Sequence, residues 1–217
     1  MRQLKLIVFD WDGTLMDSEY AIVDAIRKSY EEEGLAVPAY GAIRETIGLS
    51  LRDAWKCLSP DIKAAVQGRL TLAYSKYFLG RPTLPPLFPK VRETLIELRE
   101  SGYLMAVATG KSQAGLKRAI EGTAIGEFFT TTRTADVSEP KPSPKMLQEI
   151  MSELSLAPRE VIMIGDTEYD LAMAAAAGTL RAGVNWGVHS VNRLLPFAPS
   201  FVLSNFNELP IELKAME

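Results

Sequence analysis

Four short polar clusters contain the residues of this sequence whose types and spacing best suit catalysis. The clusters supply carboxylates, hydroxyls and lysine side chains, and none of them contains histidine or cysteine. A site built from such hard oxygen ligands suits Mg²⁺. The clusters are Asp10-Trp11-Asp12-Gly13-Thr14, Thr109-Gly110-Lys111, Lys141-Pro142 and Gly165-Asp166-Thr167-Glu168-Tyr169-Asp170.

The aspartates of the first and last clusters could share the work of a metal-assisted reaction. Asp10 and Asp12 are separated by one residue, so their side chains need not point in the same direction. One of them can bind a metal ion and attack phosphorus while the other transfers protons. Asp166 and Asp170 offer further oxygen ligands for the ion, which would offset repulsion between Asp10 and an incoming phosphate.

The two middle clusters could hold the phosphate itself. Lys141 offers a positive charge to the phosphate and could also restrain Asp10. Thr109 and the backbone N–H groups near Gly110 could bind the non-bridging oxygens. Lys145 is the nearby alternative for the lysine role, and the Lys-Pro-x-Pro pattern favours Lys141. Together the clusters predict phosphoryl transfer.

Apolar, β-branched runs precede the clusters and predict buried parallel strands. Segments with helical spacing alternate with these runs, which indicates a doubly wound α/β fold with a mainly parallel, Rossmann-like sheet. Sites in such folds lie at the carboxyl ends of the strands, so the clusters should meet at one edge of the sheet. The predicted strands cover residues 4–9, 103–108, 129–132, 161–164, 181–184 and 201–203, and the helices cover 91–101, 113–121, 145–154 and 171–177.

A stretch with helical spacing alone separates the first strand from the others. Helices are predicted over residues 17–34, 40–47, 51–58 and 62–78. Residues 82–89 contain four prolines, which cannot continue a helix and make a stiff connector. We therefore predict an all-helical insert, residues 16–83, in an α/β core formed by residues 1–15 and 84–217.

In this order and context the motifs resemble those of the haloacid dehalogenase-like phosphatase superfamily. The continuation from Asp170 to Gly178, followed by Gly183-Val184 and Gly187, is similar to the phosphoglycolate phosphatase branch. The resemblance spans nearly the whole chain, and the helical insert matches the small cap of that branch. It implies a Mg²⁺-dependent phosphatase that acts on a small phosphorylated metabolite.

The resemblance also implies a role for each aspartate. Asp10 would be the nucleophile and form an aspartyl-phosphate. Asp12 would be the general acid for the leaving group, then the base for water, and would donate its backbone carbonyl to Mg²⁺. Asp166 would be a metal ligand, and Asp170 either a ligand or a support for one. Asp170 could also be only a helix cap.

The helical insert is the part of the sequence where specificity is hardest to assign. In the resembling family this region faces the active site, so Arg52 could bind the substrate. An equally acceptable interpretation places Arg52 on a helix surface. Lys111 is interpreted as a surface charge. His189 is interpreted as a loop residue that could also lie near the site.

Two other functions stay open. A sugar phosphomutase of the same fold needs insert residues that shield the aspartyl-phosphate from water. Its Gly-x-Ser-Arg pattern is not matched, because Leu51 separates Ser50 from Arg52. A phospho-acceptor signalling receiver also gathers aspartates, threonine and lysine around Mg²⁺, but it lacks the Asp-x-Asp-Gly-Thr turn and the insert.

Composition limits the partners that this protein could have. The net charge is −3 and the pI about 5.4, which argues against a broad nucleic-acid footprint. No apolar run is long enough to cross a bilayer, and the run before Asp10 is too short for a signal peptide, so we expect a cytoplasmic protein. Cys57 is the single cysteine and excludes an internal disulfide. We expect no membrane partner and a monomer or homodimer.

Overall fold

The structure is a computed structural model that describes residues 4–216 of the 217-residue chain. The parts of the predicted α/β core that fall on residues 1–3 and 217 lie outside the described residues. Six parallel strands form one sheet in the order β3-β2-β1-β4-β5-β6. The strands are β1 (Leu6–Phe9), β2 (Leu104–Thr109), β3 (Thr131–Thr134), β4 (Val161–Gly165), β5 (Leu180–Val184) and β6 (Val202–Leu203).

The four residues of β1 are fully buried because helices cover both faces of the sheet. Ile7 and Phe9 belong to one apolar cluster, which includes side chains of α5 (Val91–Glu100) and α10 (Leu209–Ala215). Leu6 and Val8 belong to another, with side chains of α7 (Lys145–Leu154) and α8 (Glu168–Ala177). Alternate residues of a strand face opposite sides, so a strand covered on both sides is apolar throughout. The doubly wound α/β prediction is confirmed.

Four helices connect β1 to α5 and have a hydrophobic core of their own. They are α1 (Glu19–Glu32), α2 (Tyr40–Arg44), α3 (Leu51–Leu58) and α4 (Ala64–Leu79), and we call them the helical insert. Trp55 and Tyr30 lie at the centre of this core, with ring centroids 6.0 Å apart. The exact boundaries at residues 15/16 and 83/84 stay a prediction.

Polar contacts join the helical insert to the sheet domain. Arg193 of α9 (Val191–Leu194) pairs with Glu45, which directly follows α2. The Tyr169 hydroxyl donates to the backbone carbonyl of Glu45 at 3.0 Å, and the Arg44 guanidinium donates to the carbonyl of Gly187 at 3.1 Å. These contacts hold the insert over the carboxyl edge of the sheet.

Two element boundaries differ from the prediction for identifiable reasons. Strand β3 begins at Thr131 rather than at Phe129, because Phe129 packs against Phe9 and Trp11 beneath the sheet edge. Helix α8 begins at Glu168 rather than at Leu171, because the Asp170 carboxylate accepts from the backbone N–H of Thr167 and caps the first turn. None of the helices in residues 4–216 has the length and apolar character needed to span a bilayer. The α/β core also contains helix α6 (Gln113–Thr123), which follows β2.

Candidate active site

Three neighbouring strands at the middle of the sheet carry the predicted site residues at their carboxyl ends. Asp10 follows β1 directly, and its backbone N–H donates to the carbonyl of Ile164 in β4 at 2.9 Å. Thr109 is the last residue of β2, and Asp166 follows the last residue of β4. Since the strands are parallel and in register, these residues come to the same edge of the sheet.

Lys141 lies in the loop between β3 and α7 and reaches into this edge. Its Nζ lies 2.8 Å from Asp10 Oδ1 and 2.5 Å from Asp170 Oδ1, with none of the lysine side chain exposed. Burial acts to lower the pKa of Lys141, but the two carboxylates outweigh it and the pKa is raised. Lys141 is therefore an ammonium group in the site. Lys145, the alternative lysine, is exposed on α7.

The Asp10 carboxylate is buried and incompletely hydrogen-bonded. Oδ1 accepts from the Trp11 backbone N–H at 2.6 Å and from Lys141, whereas Oδ2 has no partner among the described residues. Burial raises the pKa of Asp10 to about 7, although Lys141 opposes the shift. An orphaned buried carboxylate oxygen is costly unless a ligand or a substrate completes its contacts.

Asp10, Asp166 and Asp170 bring one carboxylate oxygen each to within 4.8 Å of one another, and all three are buried. Burial and the neighbouring Asp10 raise the pKa of Asp166 well above its usual value. Three carboxylates this close repel one another unless protons or a cation intervene. The all-oxygen donor set and the orphaned Asp10 Oδ2 fit a hard divalent cation such as Mg²⁺.

Two glycines, Gly13 and Gly187, pack directly against the Asp166 side chain, so a larger residue does not fit at either position. Asp166 accepts from the Thr14 hydroxyl at 2.9 Å and from the Val188 N–H at 2.8 Å. A Cβ on Gly13 would lie 2.2 Å from Asp166 Oδ2, and one on Gly187 would lie 2.2 Å from Asp166 Cβ. Gly13 also has a φ of +80°, which favours glycine. The surrounding loops thus hold the Asp166 carboxylate in one position.

The Asp170 carboxylate is hydrogen-bonded to Thr167 and to Lys141. Its Oδ2 accepts from the backbone N–H and the hydroxyl of Thr167, at 3.0 and 2.6 Å, which caps α8. Its Oδ1 accepts from Lys141. Asp170 is therefore a helix-capping residue in the structure, and its role as a metal ligand stays a prediction.

Asp12 has different neighbours from Asp10. Its Oδ1 accepts from the Ser18 hydroxyl at 2.5 Å and lies 2.9 Å from Lys111 Nζ. Its side chain is not part of the three-carboxylate cluster. The Asp12 carboxylate is therefore separate from the three carboxylates that could hold a metal ion, and its role in proton transfer stays a prediction.

A small cavity of about 70 Å³ lies beside Asp10 and Asp12, between the sheet edge and the helical insert. Thr109 and Gly110 line it from the core. A Cβ on Gly110 would lie 2.6 Å from the carbonyl oxygens of both Gly48 and Leu49. The backbone of the insert therefore closes on the backbone of the core at this point. Apolar side chains line the insert side, among them Ile22, Ile26, Leu49 and Phe78.

The structure places Arg52 away from this cavity. Arg52 is exposed on α3, whereas its neighbour Leu51 lines the cavity. The geometry therefore favours a helix-surface position for Arg52, and its role in substrate binding stays a prediction.

The structure places Lys111 and His189 in buried positions next to the predicted site residues. The interpretation of Lys111 as a surface charge was wrong, because its side chain is 5% exposed and pairs with Asp12. His189 lies in the loop between β5 and α9, as predicted, and its side chain is buried. Its Nδ1 accepts from the Glu168 N–H at 3.1 Å, and its own N–H donates to the Asp166 carbonyl. The position of Lys111 two residues after Thr109, beside a predicted strand end, was the available signal.

The fold and the site together define a doubly wound α/β protein whose carboxylates meet at the carboxyl edge of a parallel sheet, beneath a helical insert. The model of a protein family described as "Haloacid dehalogenase-like hydrolase" matches residues 7–184 of this chain. The chain therefore belongs to this family. It is a phosphatase. Membership in this family excludes the alternative of a signalling receiver module.

Relatives and solved structures agree with this assignment over nearly the whole chain. The "Probable phosphatase IndB" of Dickeya dadantii is 35% identical over 94% of this chain and 91% of its own. A phosphoglycolate phosphatase of Vibrio parahaemolyticus is 29% identical, with 96% and 95% covered. The pyrophosphatase PpaX of Bacillus pumilus is 27% identical, with 95% and 94% covered. A haloacid dehalogenase-like family hydrolase of Streptococcus pneumoniae superimposes with a TM-score of 0.83 at 26% identity, with 100% and 99% covered.

Proposed function

We propose that this phosphatase hydrolyses a small phosphomonoester in a Mg²⁺-dependent reaction, through an aspartyl-phosphate formed on Asp10. We also propose that the helical insert is a cap that closes over the substrate. The phosphoglycolate phosphatase relative supports a small phosphorylated metabolite as the substrate.

The charge of the buried site is the observation that carries this proposal. Among residues 4–216, the buried Asp, Glu, Lys and Arg side chains are four aspartates and two lysines, and all six lie in this site. With every group ionised the site has two negative charges in excess. A divalent cation balances them, and a buried charge cluster needs such compensation. The six residues are Asp10, Asp12, Lys111, Lys141, Asp166 and Asp170.

Asp166 and Asp10 would hold the ion with carboxylate oxygens, Asp12 with its backbone carbonyl, and Asp170 as a further ligand. When bound, Mg²⁺ would offset the repulsion between the carboxylates and the phosphate and would polarise the phosphoryl group.

The first step follows from the positions of Asp10 and Asp12. Asp10 attacks phosphorus with a carboxylate oxygen, and the bond from phosphorus to the leaving oxygen breaks. Asp12 takes up a proton as substrate binding displaces it from Lys111, and it gives this proton to the leaving oxygen. Asp12 lies beside the cavity and outside the carboxylate cluster, which suits this role.

In the second step water attacks the phosphorus of the aspartyl-phosphate, and Asp12 takes a proton from this water. The bond between phosphorus and Asp10 breaks, which releases inorganic phosphate and restores the Asp10 carboxylate. Lys141 neutralises Asp10 through its 2.8 Å contact during both steps. The Thr109 hydroxyl and the Gly110 N–H would bind the non-bridging oxygens of the phosphoryl group.

A screen of phosphate release from a panel of phosphomonoesters, with Mg²⁺ and with EDTA, tests the proposed function. We expect turnover of at least one small phosphomonoester with Mg²⁺ and loss of turnover with EDTA. Equal turnover in EDTA would contradict the metal dependence. Acid-quenched protein labelled from a ³²P-substrate should carry acid-stable, base-labile phosphate, and labelling that survives in Asp10→Asn would contradict the nucleophile assignment.

A further inference from the structure

Lys111 is a buried lysine that the proposed reaction does not use. It follows the end of β2, and its side chain is 5% exposed. Its Nζ lies 2.9 Å from Asp12 Oδ1 and 4.5 Å from the centre of the Phe78 ring in the helical insert. The backbone carbonyl of Lys111 accepts from the Ala135 N–H at 3.0 Å, which holds the residue in place. Lys111 thus lies between the proposed general acid and the insert.

Lys111 is also the only cation among the described residues that line the cavity. Lys141 does not line it, and two carboxylates already occupy the Lys141 ammonium. The insert opposite Lys111 presents mainly apolar side chains, such as Leu49 and Leu51. A negatively charged group that enters this cavity therefore has one cationic partner, which is Lys111.

We propose that Lys111 binds a negatively charged group on the leaving part of the substrate, and so selects leaving groups that carry a carboxylate or a second phosphate. This inference rests on the proposed function. The oxygen that Asp12 protonates belongs to the leaving group, so this group has to lie next to Asp12 and within reach of Lys111. Without substrate, the Asp12 carboxylate is the counter-charge of Lys111.

The exchange of partners explains why the leaving group should be charged. When Asp12 turns to the leaving oxygen, the buried Lys111 ammonium loses its counter-charge, which is costly in an apolar setting. An anionic leaving group replaces Asp12 as the partner of Lys111. A neutral leaving group does not, so its reaction has to proceed with an uncompensated buried ammonium.

Three substrates separate the contributions of charge and shape. 2-Phosphoglycolate and inorganic pyrophosphate carry an anionic leaving group, as a carboxylate and as a phosphate respectively. 2-Hydroxyethyl phosphate has nearly the shape of phosphoglycolate without the carboxylate. We expect the wild-type kcat/KM to be higher for at least one anionic probe than for the hydroxyethyl ester.

Lys111→Met should lower this preference by roughly tenfold or more, because a charge-assisted contact is lost. Lys111→Arg should restore part of it, because the positive charge returns. Lys117→Met is the matched control, since Lys117 is exposed on α6 and pairs with Glu121 at 3.9 Å. This control should keep the wild-type preference. Lys111→Gln replaces the methionine variant if that variant does not fold.

Several outcomes would overturn the inference. These are a wild-type preference for the hydroxyethyl ester, an unchanged preference in both neutral Lys111 variants, or no recovery in Lys111→Arg. Each of them leaves the proposed phosphatase reaction intact as long as wild-type protein releases phosphate with Mg²⁺. A wild-type protein that hydrolyses none of the panel of phosphomonoesters would instead contradict the proposed function itself.

Discussion

At the scale of single residues, the two aspartates of the first motif differ in their neighbours more than in their chemistry. Asp10 has one oxygen held by Lys141 and one without a hydrogen bond, beside two further carboxylates. Asp12 is held by Ser18 and Lys111 outside that group. These different neighbours support the proposed roles of Asp10 in metal binding and attack and of Asp12 in proton transfer.

Asp10→Asn should lower kcat by more than roughly a thousandfold, because an amide cannot form the phosphorylated intermediate. The fold should be preserved, since burial raises the pKa of Asp10 to about 7 and an ionised carboxylate is costly there. Phosphate release and thermal unfolding at pH 8 measure the two effects. Near-normal turnover in this variant would contradict the nucleophile assignment.

Asp12→Asn should lower kcat by roughly two to four orders of magnitude, the usual contribution of general acid–base catalysis. The loss should be smaller for a substrate whose leaving group needs no proton, such as 4-nitrophenyl phosphate. Steady-state kinetics with 4-nitrophenyl and alkyl phosphates give the comparison. An equal loss for both kinds of ester would argue against Asp12 as the acid.

At the scale of elements, the site depends on close contact between the β2 end and the helical insert. Gly110 meets the carbonyls of Gly48 and Leu49 so closely that no side chain fits. Contacts of Glu45 with Arg193 and Tyr169 hold the insert at a second point. The two contacts together set how far the insert closes over the cavity.

Gly110→Ala should lower kcat/KM by roughly ten- to a hundredfold, because the added Cβ pushes the two backbones apart and misplaces the groups around the cavity. Gly68→Ala is the control, since Gly68 lies in α4 and a Cβ there would meet nothing within 4 Å. The control should keep activity and gain up to roughly 1 kcal/mol of stability from helix propensity. Kinetics and denaturant unfolding test both variants, and full activity in Gly110→Ala would contradict this account of closure.

At the scale of the whole molecule, the excess negative charge of the site links metal binding to pH. Burial raises the pKa of Asp10 to about 7 and that of Asp166 well above its usual value. In the metal-free protein the folded state therefore holds protons that the unfolded chain releases near its ordinary carboxyl pKa. This favours folding below the raised pKa values, and the benefit is lost as pH rises through them.

Mg²⁺ should bind roughly tenfold or more tightly at pH 8 than at pH 6, because it competes with protons for these carboxylates. The increase in melting temperature on adding Mg²⁺ should accordingly be larger at pH 8. Calorimetric titration and thermal unfolding at the two pH values measure this. Asp166→Asn should weaken binding at both, and a pH-independent affinity would contradict the proposed ligand set.

The sequence by itself determined the strands, the helices and which residues follow the strand ends. These depend on local patterns, such as the apolar run that ends at Asp10 and the prolines of residues 82–89. Parallel pairing then requires Asp10, Thr109 and Asp166 to meet at one edge. The fold class and the grouping of these residues could therefore be predicted from the sequence alone. The starts of β3 and α8 could not, because they depend on the packing of Phe129 and on the cap formed by Asp170.

Only the tertiary structure decided which polar side chains are buried together. From the sequence, Lys111 was interpreted as a surface charge, and Arg52 either as a substrate-binding residue or as a helix-surface residue. In the structure Lys111 is enclosed between Asp12 and Phe78, whereas Arg52 is exposed on α3. The difference arises from how the helical insert docks on the sheet. This docking depends on contacts between residues far apart in the chain, which a local pattern does not encode.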